Sequence, residues 1–325
     1  MKPSPALHNW IPFRIKKASP DLLCEWLYLG EKEFTEPFFD ETISACRYAN
    51  SNNRPFRSVS DLETMTKWAK DLNAVPPTAI LFHVSRCGST LLSQLLSIDK
   101  KHIVLSEVPF FDEILRLPLQ QEAIDRAAAE NYWQAALSFY GQQRFAGQQR
   151  LFIKADSWHL HFYEQYRNLF PNVPFFLLYR HPLQVLHSQQ KQRGIQSVPG
   201  MIEPELFGFT PEQSSDTNLD RYMANVLTTY FEKMLRIVKS DPLAIAFDYA
   251  EGLHNIIDKM YSLLRLPRGK ELAKKIAERC RFHAKRPLQV FAEEQKDEDV
   301  PVFLQPAVSL YEQLKAISRK PLSPL

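Results

Sequence analysis

Ala79-Ile80-Leu81-Phe82-His83-Val84-Ser85-Arg86-Cys87-Gly88-Ser89-Thr90-Leu91-Leu92-Ser93-Gln94-Leu95-Leu96 is the stretch that decides the fold. Residues 79–84 form an almost unbroken apolar run of the length of a buried strand. From Thr90 onward, Leu91, Leu92, Leu95 and Leu96 recur at helical spacing. Between them lies a short polar loop. The segment therefore predicts a strand, a tight turn and a helix.

Working outward, short β-rich runs recur at Ile103–Leu105, Leu151–Ile153, Phe175–Leu178 and Leu243–Phe247, each leading into a longer amphipathic stretch. That alternation predicts an α/β fold, a parallel sheet flanked by helices, within a domain of residues 76–325. Ligands of such sheets bind at the carboxyl ends of the strands, which directs attention to the residues just after each run. Upstream, Leu22-Leu23-Trp26-Leu27, Phe38-Phe39-Ile43 and Leu62-Met65-Trp68 suggest helices, so residues 1–75 are expected to form a helical N-terminal segment. Val75-Pro76-Pro77 is the expected linker. The stretch 195–217, with Pro199-Gly200, Pro204, Gly208 and Pro211, is long and aperiodic; it reads equally as a lid or as a passive surface excursion.

Composition sets outer bounds. The 325 residues are 45% apolar and 24% charged, and 40 Lys+Arg against 37 Asp+Glu leave a net charge of +3, too little for a nucleic-acid coat. Any attraction for anions must be local. Pro3, Pro5 and Pro12 interrupt the region where a secretory signal would need an apolar run, and no run approaches a membrane span, so a cytoplasmic protein is expected. Cys24, Cys46, Cys87 and Cys280 have neither metal-site spacing nor disulfide density, and reduced thiols with no metal are expected.

The polar loop carries the chemistry. Amides in a strand-to-helix turn and the positive end of the new helix make an anion cradle, to which Arg86 adds fixed charge. Gly88 permits close backbone approach. A triphosphate-binding loop would read G-x-x-x-x-G-K-[ST], and here both its first glycine and its lysine are missing, which disfavours kinase or ATPase chemistry. Taken alone, the loop also reads as a Ser/Thr helix cap after a buried strand.

Arg86-Cys87-Gly88-Ser89-Thr90-Leu91-Leu92 resembles the 5′-phosphosulfate loop of the P-loop sulfotransferases that use 3′-phosphoadenosine 5′-phosphosulfate (PAPS). Its form is closest to the protein-tyrosine and carbohydrate branches. The resemblance extends in scattered segments over residues 78 to 290. It implies that Arg86, Cys87, Gly88, Ser89 and Thr90 bind the 5′ side of the donor. Arg180, at the end of the Phe175–Tyr179 run, and Ser188, eight residues later, match the family's 3′-phosphate pair. Charge-assisted Arg contacts and a Ser hydroxyl suit a phosphate.

The same resemblance implies that Lys154, Glu107 and Arg86 are catalytic: Lys154 steadies the transferring group and Glu107 takes the acceptor's proton. Glu107 reads equally as a cap for the helix beginning near Pro109. The cytosolic branch uses a histidine soon after the lysine, but Lys154-Ala155-Asp156 lacks it, and His159 and His161 read as core residues. Tyr249 is implied near the adenosine, or simply packs at a strand end. Lys285, in the basic cluster Arg281, His283, Lys285 and Arg286, is the remaining 3′-phosphate candidate. The expected activity is sulfuryl transfer from PAPS to an unidentified hydroxyl or amine. An atypical P-loop kinase and a non-catalytic nucleotide-binding protein are the alternatives.

Overall fold

Five strands form the central sheet of the computed structural model: β4 (Pro77–His83), β5 (His102–Ser106), β6 (Arg150–Lys154), β7 (Phe175–Tyr179) and β8 (Ala244–Asp248), in the order β5-β6-β4-β7-β8. The structure describes residues 7–18, 21–49, 51–52, 57–121, 123–282 and 299–318. The sheet is parallel and flanked by helices, as the alternating pattern predicts. Every residue of β5, β7 and β8 is buried, because crossover helices cover both faces and leave no solvated side to alternate with.

The chain folds into two compact units, each built from separate pieces. One comprises Met1–Thr78, Leu96–Lys154 and Gln165–Pro171; the other comprises Ala79–Leu95, Ala155–Glu164 and Asn172–Leu325.

In the first unit, β1 (Trp10–Ala18) and β2 (Asp21–Tyr28) pair antiparallel, and β3 (Val59–Asp61) joins the far side of β2. Phe39–Arg47 and Leu62–Ala69 are helices, as their spacing predicts. The helical expectation for Leu22 to Leu27 is corrected: these residues lie in a strand. Along β2, Cys24 and Trp26 point to one face and Glu25 and Leu27 to the other, and all four are buried. With both faces covered, the polar alternation that marks a half-exposed strand is absent. Glu25 is tolerated there because Arg57 donates to both of its oxygens, at 3.2 and 3.1 Å.

The hairpin is fastened to the helix Arg126–Tyr140: Trp26 meets Phe139 at 4.8 Å between ring centroids, and the Tyr140 hydroxyl donates to the Pro12 carbonyl. Phe39, Phe111 and Trp133 continue this aromatic core.

Glu113, on the helix Pro109–Gln120, accepts a hydrogen bond from the Ile15 amide, and burial pushes its carboxyl up to about 7. The folded state thus holds this proton more tightly than the unfolded chain, so Glu113 favours folding at low pH. That contribution is lost as pH rises from about 4.5 to about 7, by roughly 3 kcal/mol. In Glu113→Gln, urea midpoints measured across this window are expected to lose that decline; an unchanged pH slope would contradict the assignment.

In the second unit, the stretch 195–217 forms helical turns at Ile195–Ser197, Pro204–Phe207 and Pro211–Ser214, the last with a Thr210/Gln213 capping box. Ile202 and Phe207 are buried, and Phe207 lies 6.2 Å from the Tyr230 ring. Among the described residues, no helix is long and apolar enough to cross a membrane.

Candidate functional site

The chain leaves β4 through consecutive residues in the left-handed region, Ser85 (φ 66°) and Arg86 (φ 49°), reaches Gly88 (φ 84°), and enters the helix Ser89–Ser97. Such backbone costs about 1–3 kcal/mol per non-glycine residue and persists only where its surroundings enforce it. Here the Ser85 amide donates to His83 Nδ1 at 3.0 Å, and its hydroxyl meets Gln189 Nε2 at 3.2 Å. Cys87 is fully buried, and its thiol donates to the Leu178 carbonyl of β7 at 3.4 Å. It anchors the loop rather than facing solvent. Ser89 is buried and Thr90 half-buried at the helix start.

Arg180 follows β7, the strand hydrogen-bonded to β4. From β4 the chain crosses to the β5 side of the sheet, and from β7 to the β8 side, so their carboxyl ends flank the point where the topology reverses. This is where open α/β sheets bind ligands. The Arg180 guanidinium donates through Nη1 to the Arg86 carbonyl at 3.1 Å and through Nε to Gln184 Oε1 at 3.1 Å, and its carbon sits 4.5 Å above the Tyr249 ring. Arg86 in turn donates to the Gln192 carbonyl. Ser188 is half-buried on the helix Pro182–Lys191, one turn beyond Gln184 and so on the same face.

Tyr249 reaches the loop from the 3-10 turn after β8. A Cβ added at Gly88 would meet Tyr249 Cε2 at 2.8 Å, so this position excludes a side chain for steric reasons as well as for its φ. Arg86, Gly88, Arg180 and Tyr249, from three strand ends, thus share one place in the second unit. Lys285, His283 and Arg286 lie outside the described residues, and Arg281 is exposed after the helix Lys270–Arg279.

Lys154 and Glu107 belong to the first unit. Lys154 ends β6 and is 2% exposed; its Nζ lies 2.8 Å from Glu107 Oε1, as an ion pair rather than a well-aligned hydrogen bond. The same ammonium lies 4.9 Å from the Phe38 ring centroid. Glu107 follows β5 with φ 53°, and its amide donates to the Lys154 carbonyl at 2.8 Å, carrying the β5–β6 ladder one step further. The helix after it begins at Pro109 with Val108 as its N-cap, and the Glu107 carboxylate pairs with Lys154.

The described residues hold five non-glycine positions with positive φ: Asn9, Ser85, Arg86, Glu107 and Arg265. Arg86 and Glu107 are candidate site residues and Ser85 lies in the same loop as Arg86, a concentration of strain that accompanies functional geometry.

His161 is held neutral, pushed down to about 3 chiefly by burial, with Thr229 Oγ1 3.3 Å from its Nε2. His159 is 1% exposed, with Nε2 3.7 Å from Asp156 Oδ2. His159 is buried in the core, and His161 is half-buried against Phe207 and Tyr230. Sequence reading missed Phe38, Gln184 and Gln189. Gln189 is fully buried and joins Ser85 to the Gly194 amide, which it accepts at 2.8 Å. Its one sequence signal is its place beside Ser188 on the helix after Arg180.

No family model and no curated protein matches the chain. Among solved structures, the chain is similar to sulfotransferase STF9 from Mycobacterium avium, with 14% identity, 79% of each chain covered and a TM-score of 0.47. A sulfotransferase from Alicyclobacillus acidocaldarius aligns at 14% identity over 76% of this chain and 98% of its own, with a TM-score of 0.41. The sulfotransferase domain of the Synechococcus PCC 7002 olefin synthase aligns at 16% identity over 78% and 92%, with a TM-score of 0.40.

Proposed function

We propose that the chain is a sulfotransferase that moves a sulfuryl group from PAPS to a hydroxyl or amine. The observation that carries this reading is the convergence of Arg180, Tyr249 and the Ser85–Thr90 loop: the Arg180 guanidinium touches the Arg86 carbonyl at 3.1 Å and stacks on Tyr249 at 4.5 Å. Two guanidinium groups, a glycine-lined loop, a helix N-terminus and an aromatic ring suit a nucleotide with phosphate groups at both ends of its ribose. The donor supplies a sulfuryl group on a phosphate leaving oxygen.

In this reading Arg86 and the loop amides hold the 5′ side, while Arg180 and Ser188 hold the 3′-phosphate and Tyr249 flanks the nucleoside. Lys154 offers positive charge to the transferring group, and Glu107 accepts the acceptor's proton as the new bond to sulfur forms and the bond from sulfur to the leaving oxygen breaks. The products are the sulfated acceptor and 3′-phosphoadenosine 5′-phosphate. Neither the loop nor the ion pair calls for a metal ion in this scheme.

Calorimetric titration with 3′-phosphoadenosine 5′-phosphate, adenosine 5′-phosphosulfate and ATP–magnesium tests the donor class. Preferred binding of the first is expected, with Arg180→Ala weakening it about tenfold to a hundredfold, the value of a charge-assisted contact. Equal binding of adenosine 5′-phosphosulfate would contradict a 3′-phosphate site, and preference for ATP–magnesium would favour a kinase. Donor-product binding without transfer to any acceptor would mark a non-catalytic nucleotide-binding protein.

A further inference from the structure

We propose that Tyr311, on the C-terminal helix Gln305–Ser318, is a positioning residue that holds the ends of β7 and β8 in the geometry the donor site requires. Far from that site in sequence and 3% exposed, Tyr311 touches the residues on either side of Arg180 and the residue preceding Tyr249. Its ring meets Tyr179 at 5.8 Å and His181 at 5.0 Å, both edge-on. Its hydroxyl donates to Asp248 Oδ2 at 2.8 Å.

Asp248 passes this restraint on. Its other oxygen accepts from the Ala250 amide at 3.0 Å, and its own amide donates to Glu251 Oε1 at 3.0 Å, closing the capping box of the turn that carries Tyr249. On the β7 side, His181 caps the helix Pro182–Lys191 by accepting from the Leu183 amide at 3.3 Å. Burial, followed by the Asp248 contact, raises the Tyr311 hydroxyl far above its ordinary value, so it remains a donor at all accessible pH.

The consequence is geometric. Stacking of Arg180 on Tyr249 at 4.5 Å depends on the relative placement of two backbone turns from different strands. Tyr311 is a single rigid side chain in contact with both. Positioning groups of this kind act by holding binding residues within a fraction of an ångström of their working geometry. The contact geometry stands by itself, whereas the functional consequence rests on the donor reading above.

The test uses the full chain and Tyr311→Phe, which keeps the ring and removes only the hydrogen bond. Val302→Ser, at an exposed position just before the same helix, is the control. Amide hydrogen exchange at Ala250 and Gly252 is expected to quicken about tenfold in Tyr311→Phe and not in the control, the size of one hydrogen bond to a carboxylate. Affinity for 3′-phosphoadenosine 5′-phosphate is expected to fall about tenfold, while affinity for adenosine 5′-phosphate changes by less than about twofold, a selectivity that general loosening would not produce.

Unchanged exchange at Ala250 and Gly252 would overturn the proposal, and so would faster exchange with unchanged preference for the 3′-phosphate. Should the unaltered protein bind neither nucleotide, the donor reading fails, and the exchange measurement still decides whether Tyr311 positions the β8 turn. Should Tyr311→Phe not fold, Asp248→Asn, whose single carboxamide oxygen cannot serve both the Tyr311 hydroxyl and the Ala250 amide, is expected to lose most of the nucleotide preference; its retention would overturn the proposal.

Discussion

Gly88→Ala is expected to weaken binding of 3′-phosphoadenosine 5′-phosphate by about a hundredfold or more, combining two penalties at one atom. A Cβ at φ 84° costs about 1–2 kcal/mol. The same Cβ would lie 2.8 Å from Tyr249 Cε2 and 3.0 Å from Leu253 Cδ1, and overpacking of this kind costs about 1–3 kcal/mol. The closer approach is to Tyr249, so the strain is expected to push its ring out of its stack with Arg180. A double-mutant cycle with Tyr249→Ala separates the causes. A smaller loss from Gly88→Ala in the Tyr249→Ala background than in the unaltered chain would place the damage in the ring contact; additive losses would place it in the loop backbone. Affinity unchanged in Gly88→Ala would remove the loop from the donor site altogether.

Lys154→Met is expected to reduce sulfuryl transfer about a thousandfold, the upper end of the effect of deleting one group aimed at developing charge. It also leaves Glu107 beside a buried apolar side chain, and breaking one half of a buried pair costs about 3–5 kcal/mol of stability. These effects can be told apart. The double variant Lys154→Met/Glu107→Gln removes both charges and should recover most of the urea midpoint without recovering turnover. Release of 3′-phosphoadenosine 5′-phosphate from PAPS with a panel of phenols, alcohols and amines supplies the rate, and denaturant melts supply the stability. If stability and turnover returned together, the pair would be a structural ion pair and the catalytic roles of Lys154 and Glu107 would fall.

The ion pair also illustrates what spacing does and does not convey. Lys154 and Glu107 each follow an apolar run, which marks them as residues at the carboxyl edge of a sheet. Their 2.8 Å separation comes from the pairing of β5 with β6 in register, Ser106 opposite Lys154, and that pairing is formed across a long intervening helical stretch. Phe38, which covers the ammonium at 4.9 Å, comes from a segment whose sequence suggested only a helix. No local pattern announces such a contact.

The N-terminal region shows the limit from the other side. Leu22, Leu23, Trp26 and Leu27 satisfy a helical template, yet Trp26 and Leu27 lie on opposite faces of β2 and both are buried. Periodicity reports the number of covered faces, and a strand covered on both sides loses its signature. The helices at Phe39–Arg47 and Leu62–Ala69 each bury one face and were legible for that reason.

By itself, the sequence determined the parallel sheet and its flanking helices, because fully buried strands require continuous apolar runs and the crossover helices require amphipathic ones. It also determined that a tight polar turn joins β4 to the following helix, because Gly88 and its polar neighbours are local properties of the Ser85–Thr90 loop. Tertiary structure alone decided that Arg180 stacks on Tyr249 beside Gly88 and that Tyr311 holds the turns on which they sit. Those contacts depend on strand order, and strand order is set by how the helices pack over the sheet rather than by any residue's neighbours in the chain.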